Sequence, residues 1–482
     1  MASNLKILFA VSELAGIVKT GGLADVAGAL GPVMRKRKQD VRVVMPAYRQ
    51  ALASLTTKVV NVGEAVLNPQ CKFGFAVHEA EYDGVPIYLI EHNRYFDRPE
   101  LYTHRGEGFE DNSERYAFFC KAVLEVCQLQ EFQPDIIHCH DWQSALLPYY
   151  LKSNESENPF FANTKTVLTI HNGAYQQHTD ACMLDAFGID RKDFHGDAFE
   201  DHGQINLLKG GIAFAHKITT VSEQYAKELL TDIGSHGLAH ILRQRKQDFS
   251  GILNGCDYQL WNPYKDQLIP ARFSPKRLAG KQTCKQALQE RMSLPVKNKT
   301  PLFGLISRLT EQKGFDYLIP ALWEFLQHDV QVVLLGSGNQ ATVVQLKNLA
   351  RAYPEKCQFH HGYDNELAHW IEAGSDFFLM PSLFEPCGLN QMYSMKYGTL
   401  PLVRAVGGLR DSVSGYHETR NKATGFVFDK PEAKDVLECM HLAADVYGNQ
   451  AVMKQLVSNA MSQSFTWDSA AKEYLQVFRS IF

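Results

Sequence analysis

Charged residues stand beside glycine turns at several points of the chain where an apolar, β-branched run ends. The first such segment is residues 19–26, KTGGLADV. Its glycines, Gly21 and Gly22, allow the backbone to approach an anion, the helix that follows offers unpaired N–H groups, and Lys19 adds a positive charge. The segment matches neither the Walker loop nor the dinucleotide fingerprint. It predicts a phosphate or diphosphate site, with a plain glycine turn and an exposed lysine as the simpler alternative.

A second glycine pair, Gly407 and Gly408, follows the predicted strand 401–403. Like the first pair it is followed by a leucine, so each half of the chain offers an anion-binding loop of similar sequence. A chance repeat of a common tripeptide is the alternative.

Two cations follow the predicted strand 301–306, within the segment SRLTEQKG at 307–314. Arg308 and Lys313 would converge on one diphosphate at the end of this strand and neutralise the charge of a departing group. The alternative is that both side chains are ordinary solvated surface charges.

An acidic residue, Glu385, lies in the segment PSLFEPCGLNQ at 381–391, just past another predicted strand. A carboxylate there can accept hydrogen bonds from sugar hydroxyls, and the backbone N–H groups from Cys387 to Asn390 can bind phosphate. Cys387 as a nucleophile is a weaker alternative, because no single histidine is marked by the sequence as its base.

The run His138-Cys139-His140-Asp141-Trp142 and the pair His171-Asn172 both end predicted strands. Zinc binding is one interpretation, but no completing ligand spacing is visible. Contacts to a hydroxyl-rich substrate are preferred. The chain has no Asp-X-Asp triplet, which argues against a sugar-nucleotide site built on a metal-chelating acidic pair.

Strands and helices alternate along the chain in two series, a layout typical of parallel sheets covered by helices. The predicted strands are 6–11, 41–45, 85–90, 135–138, 166–170 and 217–221 in the first series, and 301–306, 331–335, 376–380, 401–403 and 425–428 in the second. We therefore predict an α/β protein with two doubly wound domains, 1–248 and 249–463, divided at the polar stretch 243–248. A terminal helix over 464–482 has apolar residues at helical spacing and should dock on an apolar surface.

Composition excludes several classes of protein. The 482 residues are 45% hydrophobic and carry 49 Lys+Arg against 53 Asp+Glu, so the net charge of −4 favours neither nucleic acid nor an anionic membrane as a partner. No apolar stretch is long enough to span a membrane. The ten cysteines are scattered without a Cys-X-X-Cys pair, and the first residues lack the features of a signal peptide, so we expect a cytoplasmic protein.

Taken together, these segments resemble the bacterial glycogen synthase and plant starch synthase family of retaining glycosyltransferases. The resemblance is carried by KTGGLADV at 19–26, HCHDWQSAL at 138–146, TIHNGAYQ at 169–176, LNGCDYQLWNP at 253–263, SRLTEQKG at 307–314 and PSLFEPCGLNQMYSMKYGTLPLVRAVGGL at 381–409. These motifs span nearly the whole chain in the order of the family, which makes the resemblance specific.

The resemblance implies a GT-B fold, in which two Rossmann-like domains face each other across a cleft and the terminal helix crosses back to the first domain. It implies transfer of glucose from ADP-glucose to the non-reducing end of an α-1,4-glucan such as glycogen or a maltooligosaccharide, with retention of configuration and with neither a metal nor a cofactor. The roles carried over are diphosphate binding by Arg308, Lys313 and Lys19; glucose binding by Glu385, Cys387 and Gly388; phosphate binding by Leu389 and Asn390; a carbonyl of His171 near the anomeric carbon; sugar and acceptor contacts of Asp25, Asp141 and Asn254; and stacking of Tyr363 on adenine.

Some positions depart from the pattern of the family, although none of them is one of the core charges. These are Phe96, Gln143, Gly173, Gln177 and Asn390, where tyrosine, histidine, leucine, glycine and threonine are common. We expect any change to concern the handling of the acceptor. Two alternative functions stay open from the sequence: a UDP-sugar-dependent transferase with another acceptor, and a glucan-binding protein without catalysis.

Overall fold

A computed structural model describes residues 4–68, 71–104, 106–153 and 155–482. The chain forms two compact units. The first comprises Met1–Gly255 with Trp467–Phe482, and the second comprises Cys256–Thr466. Both units are α/β structures built around a largely parallel sheet, as the sequence predicts. No helix in the described residues is long and apolar enough to cross a membrane.

The first unit contains strands of very different length. They are β1 Lys6–Ala10, β2 Asp40–Pro46, β3 Lys58–Asn68, β4 Cys71–Tyr82, β5 Val85–Glu91, β6 Thr103–His104, β7 Glu107–Gly108, β8 Ile136–His140, β9 Lys165–Ile170, β10 His178–Asp180, β11 Glu200–Asp201, β12 Gln204–Asn206, β13 Lys217–Thr220 and β14 Phe249–Gly251. Within the described residues, nine of them form one sheet in the order β14-β13-β9-β8-β1-β2-β5-β4-β3. From β14 to β5 all neighbours are parallel.

Helices cover the faces of this sheet. They are α1 Gly22–Lys36, α2 Arg49–Ser54, α3 Asn93–Phe96, α4 Asn112–Leu129, α5 Leu146–Ser153, α6 Leu207–Phe214, α7 Glu223–Leu229 and α8 Ala239–Gln244. The interior strands β8 and β9 are buried almost throughout, which explains why they read as continuous apolar runs in the sequence.

The antiparallel pair β3 and β4 at the edge of the sheet is absent from the sequence-based prediction. These strands mix exposed residues with a few buried ones such as Leu67 and Val77, and β4 is joined to β5 by a tight turn without a helix. The strands are predicted from apolar runs that alternate with helical segments. Strands with exposed residues near the edge of a sheet lack such continuous apolar runs, so they are not predicted.

The second unit has a six-stranded sheet within the described residues. Its strands are β15 Leu302–Leu309, β16 Gln331–Gly338, β17 Cys357–His361, β18 Phe377–Met380, β19 Leu400–Arg404 and β20 Phe426–Phe428. The order is β17-β16-β15-β18-β19-β20, and every pairing is parallel. This is the strand order of doubly wound nucleotide-binding sheets, in which the direction of winding reverses between the first strand and the fourth. Here the reversal lies between β15 and β18.

The remaining helices belong to the second unit, except the last one, which belongs to the first unit. They are α9 Ala279–Arg291, α10 Phe315–Phe325, α11 Gln340–Ala352, α12 Asn365–Gly374, α13 Asn390–Lys396, α14 Gly407–Ser412, α15 Tyr416–Thr419, α16 Ala433–Tyr447, α17 Gln450–Ser462 and α18 Trp467–Arg479.

The division between the units differs from the predicted boundaries by a few residues. Strand β14 follows residue 248 directly, and it pairs in parallel with β13, so the first unit continues past the predicted end. The polar stretch 243–248 lies at the end of α8 and in the turn before this strand, not in a linker. The return to the first unit begins at Trp467, three residues later than predicted, where α18 starts.

Helix α18 docks on the first unit through the apolar stripe seen in the sequence. Trp467, Tyr474 and Phe478 are all buried. The ring of Phe478 lies edge-on to the ring of His138, with the centroids 5.3 Å apart, and Arg37 of the first unit pairs with Asp468 at 2.6 Å. The apolar contact is the larger contribution, because an exposed ion pair contributes little to stability.

We predict that Phe478→Ala destabilises the first unit by about 3–5 kcal/mol, because it leaves a cavity in a fully buried site. Phe482→Ala is the matched control, since Phe482 is 62% exposed and its loss should cost less than about 0.5 kcal/mol. Urea unfolding followed by circular dichroism measures both. Equal unfolding midpoints for the two variants would contradict the docking of α18.

Candidate active site

In the second unit, most of the predicted site residues gather at the carboxyl ends of the strands. Arg308 is the penultimate residue of β15, and the segment 381–389 follows β18, its neighbour in the sheet. The two strands flank the point where the winding reverses. In open α/β sheets this is where ligands bind, because the loops on either side turn away from each other and leave a crevice.

An ion pair joins these two loops. The Lys313 Nζ lies 2.5 Å from Oε2 of Glu385, and the hydroxyl of Ser382 donates to the same oxygen at 2.8 Å. The side chain of Glu385 is only 8% exposed and that of Lys313 is 18% exposed. A carboxylate this deeply buried needs a nearby cation and donors, and the structure supplies both.

Gly314 sets the approach of the two loops. Its φ of 73° is in the left-handed region, and a Cβ at this position would lie 1.9 Å from the carbonyl oxygen of Pro381. Any other residue would push the Lys313 turn away from the loop after β18. The glycine of the SRLTEQKG motif is therefore required by packing.

Arg308 differs from Lys313, because its side chain has no partner among the described residues. It is exposed, and its guanidinium makes no hydrogen bond or ion pair with any residue that the structure describes. The backbone N–H groups of Gly388, Leu389 and Asn390 are likewise not donated to described residues. The Asn390 side chain is used internally, because its amide donates to the carbonyl of Ile306 at 3.1 Å. A guanidinium and N–H groups that no described residue accepts, at one sheet edge, have the chemistry to bind an anion.

The second glycine pair has a different role from the predicted one. The N–H of Gly408 donates to the carbonyls of Glu385 and Pro386 at 3.1 and 3.2 Å, and a Cβ on Gly407 would lie 1.9 Å from the Glu385 carbonyl oxygen. The pair supports the Glu385 loop by close backbone packing. The expected anion-binding N–H of Gly408 is therefore occupied by the protein itself.

Tyr363 and Cys387 lie at the same edge in different environments. Tyr363 follows β17 and is 80% exposed, so its ring is available for stacking. Cys387 is 6% exposed, and the structure brings no group of three or more metal-ligating residues together around it or elsewhere in the described residues.

In the first unit, the KTGGL loop connects β1 to α1, as predicted, but the backbone N–H groups of Thr20 and Gly21 are already in use. The carboxylate of Glu13 accepts from the N–H of Thr20 at 2.5 Å, from the Thr20 hydroxyl at 2.6 Å and from the N–H of Gly21 at 3.1 Å. The phenol of Tyr102 donates to the same carboxylate at 2.7 Å. Glu13 is 3% exposed.

The anion bound by these two N–H groups is therefore the protein's own carboxylate, and a phosphate cannot use them. The sequence gives no signal for this, since nothing in the type or spacing of Glu13 marks it as a partner of a turn seven residues later. The loop still offers a ligand the Lys19–Asp25 ion pair, at 2.7 Å, and the open space beside Gly22, where a Cβ would meet nothing within 4 Å. The N–H groups of Gly22 and Leu23 are not donated to any described residue.

Asp141 and His171 meet at the ends of β8 and β9. Asp141 has a φ of 52°, and its Oδ1 accepts the main-chain N–H of His171 at 2.6 Å. Burial raises the pKa of Asp141 to about 7, although the backbone N–H groups of His171 and Asn172 oppose the shift. Asn254, which follows β14 at the same edge, is 5% exposed, and its Oδ1 has no partner among the described residues.

The zinc alternative for the His138 run finds no support in these contacts. The Nε2 of His138 is bonded to the Thr169 hydroxyl at 2.7 Å, and the Nδ1 of His140 is bonded to Nε2 of His171 at 2.9 Å. Each of these histidines therefore forms a hydrogen bond through one nitrogen, and the described residues place no three metal-ligating side chains together here.

Comparison with known proteins decides the family. The family described as "Starch synthase catalytic domain" matches residues 6–244, and the one described as "Glycosyl transferases group 1" matches residues 287–459. The chain is 45% identical over 489 residues to the glycogen synthase of Aeromonas salmonicida (strain A449), with 99% of each chain covered. The chain belongs to the glycogen synthase and starch synthase family. It is a glycosyltransferase.

The chain is also similar to other members of this family. Identity to the glycogen synthase of Vibrio parahaemolyticus serotype O3:K6 is 45% over 485 residues, covering 99% of each chain. Among solved structures, the catalytic domain of Starch Synthase IV from Arabidopsis thaliana, bound to ADP and acarbose, matches with a TM-score of 0.91 and 30% identity, covering 99% of both chains. The fold is therefore the GT-B type of this family.

The raised pKa of Asp141 predicts a pH-dependent stability. Its ordinary pKa is 3.8 and the folded value is about 7, so the folded state binds the proton more tightly than the unfolded state. The stabilisation is fully present below pH 3.8 and is lost as the pH rises toward 7. Asp141→Asn cannot ionise and can still accept the His171 N–H.

The free energy of unfolding of Asp141→Asn, minus that of the parent, should therefore increase by roughly 3 kcal/mol from pH 4.5 to pH 8. Denaturant titrations at several pH values measure it. Asp232→Asn is the control, since the Asp232 side chain is 83% exposed and its variant should follow the parent. A difference that does not change with pH would show that Asp141 is ionised throughout.

Proposed function

We propose that this chain transfers glucose from ADP-glucose to the non-reducing end of an α-1,4-glucan, with retention of the α configuration. The observation that carries the proposal is the arrangement at the reversal point of the second sheet. An unpartnered Arg308, the Lys313–Glu385 ion pair and a row of free N–H groups lie on adjacent loops. This set suits a sugar joined to a diphosphate, since it supplies cations, N–H donors and a hydroxyl acceptor together.

The diphosphate is bound by Arg308 and by the N–H groups of Leu389 and Asn390. Arg308 can turn to a ligand without breaking an internal bond, because none of the described residues holds its guanidinium. The N–H groups are fixed by the start of α13, so they point at the phosphate with little loss of entropy. Tyr363 stacks on the adenine ring.

The sugar lies against the Glu385 loop. The carboxylate of Glu385 accepts glucose hydroxyls, and Cys387 and Gly388 contribute backbone groups. Lys313 is already 2.5 Å from Glu385, so it is held in place to stabilise the negative charge of the leaving ADP. The cation is fixed before the reaction begins, which is the condition for strong electrostatic stabilisation of a transition state.

In the first unit, the roles follow the family at matched positions. The carbonyl of His171 lies near the anomeric carbon, and its main chain is fixed by Asp141 at 2.6 Å. Asp141 and Asn254 line the sugar, and the Asn254 Oδ1, which has no partner among the described residues, accepts a ligand hydroxyl. Lys19 and Asp25 contribute from the loop before α1.

Incorporation of labelled glucose into glycogen tests the proposal directly. With ADP-glucose as donor we expect turnover, and with UDP-glucose we expect turnover at least tenfold lower. Preference for UDP-glucose would support the alternative donor. No transfer from either nucleotide sugar, in a protein that binds glycogen, would instead identify a glucan-binding protein.

We predict that Lys313→Ala lowers kcat by roughly two to three orders of magnitude, since a preorganised cation on a departing anion contributes about 3 kcal/mol or more to the transition state. Arg308→Ala should have a similar effect. Lys347→Ala is the matched control, because Lys347 is an exposed lysine on α11 and its removal should leave kcat unchanged. Steady-state kinetics measure all three. More than half of the parental turnover in Lys313→Ala would disprove the assigned role.

Activity should also survive exhaustive treatment with EDTA. The charge of the leaving ADP is neutralised by Arg308, Lys313 and N–H donors, which a chelator does not remove. The measurement is kcat before and after dialysis against chelator, with metal content determined in parallel. Loss of activity that Mg²⁺ or Mn²⁺ restores would require a metal in the mechanism.

A further inference from the structure

Two buried histidine rings meet where β8 and β9 end. His140 is the last residue of β8, and His171 directly follows β9. The Nδ1 of His140 lies 2.9 Å from the Nε2 of His171, and the rings are nearly parallel, with centroids 5.2 Å apart. A hydrogen bond therefore joins one nitrogen of each ring.

Both rings are neutral near pH 7. Burial lowers the pKa of His171 to about 3, and burial also lowers the pKa of His140 well below its ordinary value. A neutral imidazole carries one N–H and one bare nitrogen. Between the two facing nitrogens there is therefore room for one proton only, since one atom donates and the other accepts.

This single proton couples the two tautomers. If His140 donates from Nδ1, His171 accepts at Nε2 and must carry its own proton on Nδ1. If His171 donates from Nε2, His140 accepts at Nδ1 and must carry its proton on Nε2. Both rings are then protonated on Nδ1, or both are protonated on Nε2, and mixed states break the bond.

The outer nitrogens of the pair are the Nδ1 of His171 and the Nε2 of His140. Both are buried, and neither has a hydrogen-bond partner among the residues described. His171 is 8% exposed, so its Nδ1 is a nearly enclosed polar atom whose partner has to come from a ligand or water. The ring of His140 is surrounded by the rings of Phe9 and His138, at 5.6 and 4.1 Å between centroids.

The last residue of β8, His140, and the residue after it, Asp141, thus each form a hydrogen bond with His171. The carboxylate of Asp141 binds its main-chain N–H at 2.6 Å, and His140 binds its ring. The first contact places the backbone carbonyl, and the second sets the rotation of the ring and the identity of the outward atom.

We propose that His140 is a positioning residue for glucosyl transfer: it fixes the tautomer and the orientation of His171, and so decides whether His171 donates or accepts a hydrogen bond toward a sugar hydroxyl. The inference rests on the proposed function, in which His171 lies beside the glucose. It assigns a task to a residue that neither binds substrate nor reacts.

The direct test is the tautomer of each ring, measured by ¹⁵N NMR on the full-length protein labelled at histidine, at pH 7.5 and without substrate. We expect His140 and His171 to be protonated on the same nitrogen, and each to be in a single tautomer. Opposite tautomers, or a mixture in either ring, would overturn the proposal. This readout does not depend on activity, so it stands apart from failure of the proposed function.

Two variants separate ring shape from hydrogen bonding. His140→Phe keeps an aromatic ring but removes both nitrogens, and we expect kcat to fall at least tenfold and the His171 tautomer to become mixed. His140→Asn places an amide near the former Nδ1 and can donate or accept, so we expect kcat within threefold of the parent. Equal loss in both variants, or parental kcat in His140→Phe, would contradict a positioning role.

His216→Phe is the matched control for stability. His216 lies just before β13, at the opposite end of the strands, where its Nδ1 accepts the N–H of Thr166 at 3.1 Å. Its replacement should lower the unfolding midpoint without changing kcat or the His171 tautomer. If His140→Phe does not fold, the tautomers of the parent protein and the kcat of His140→Asn still decide the question.

Discussion

Hydrogen bonding between parallel strands is the interaction on which both sets of site residues depend. Neighbouring strands lie about 4.8 Å apart, and their register decides which loops emerge side by side. In the second unit, β15 pairs with β18 at Gly304 and Phe378, and a Cβ on Gly304 would come within 2.4 Å of the Ser375 hydroxyl. In the first unit, His140 is in register with Thr169, so the residues that follow, Asp141 and His171, meet at the strand ends. The register of the hydrogen-bonded strands therefore fixes the positions of the site residues in the loops that follow them.

Buried carboxylates recur at these strand ends, and each is stabilised in a different way. Glu385 has a lysine and a serine hydroxyl, Glu13 has backbone N–H groups and two hydroxyls, and Asp141 has backbone N–H groups without a cation. The groups that contact each carboxylate determine how well its buried charge is stabilised. The carboxyl of Asp141 has a strongly raised pKa, because N–H dipoles alone do not offset its desolvation. The same chemical group, a carboxyl, therefore forms an ion pair between two loops at Glu385, binds the N–H groups of a turn at Glu13, and has a pKa raised to about 7 at Asp141.

The fold and much of the site could be predicted from sequence because the strong signals are local. Apolar runs followed by charged or glycine-rich segments mark the ends of parallel strands, and Trp467, Tyr474 and Phe478 mark the buried face of α18 by their spacing alone. What could not be predicted depends on contacts between distant segments. The Glu13 carboxylate accepts a hydrogen bond from the N–H of Gly21 in the KTGGL loop, and the N–H of Gly408 donates to the carbonyl of Glu385. The two glycine pairs nevertheless look alike in sequence. A glycine shows that backbone comes close, but not whether the neighbour is a ligand or the protein itself.

The position of α18 at the end of the chain has a consequence for synthesis. The second unit is contiguous, whereas the first unit needs residues that are translated only after the second unit is complete. At 5–20 residues per second, the interval between residue 255 and residue 467 is roughly 10–40 s. During that time His138 has no Phe478 ring beside it, and the apolar surface that α18 covers is open to solvent. The first unit therefore cannot complete its apolar core until the last helix of the chain has been synthesised.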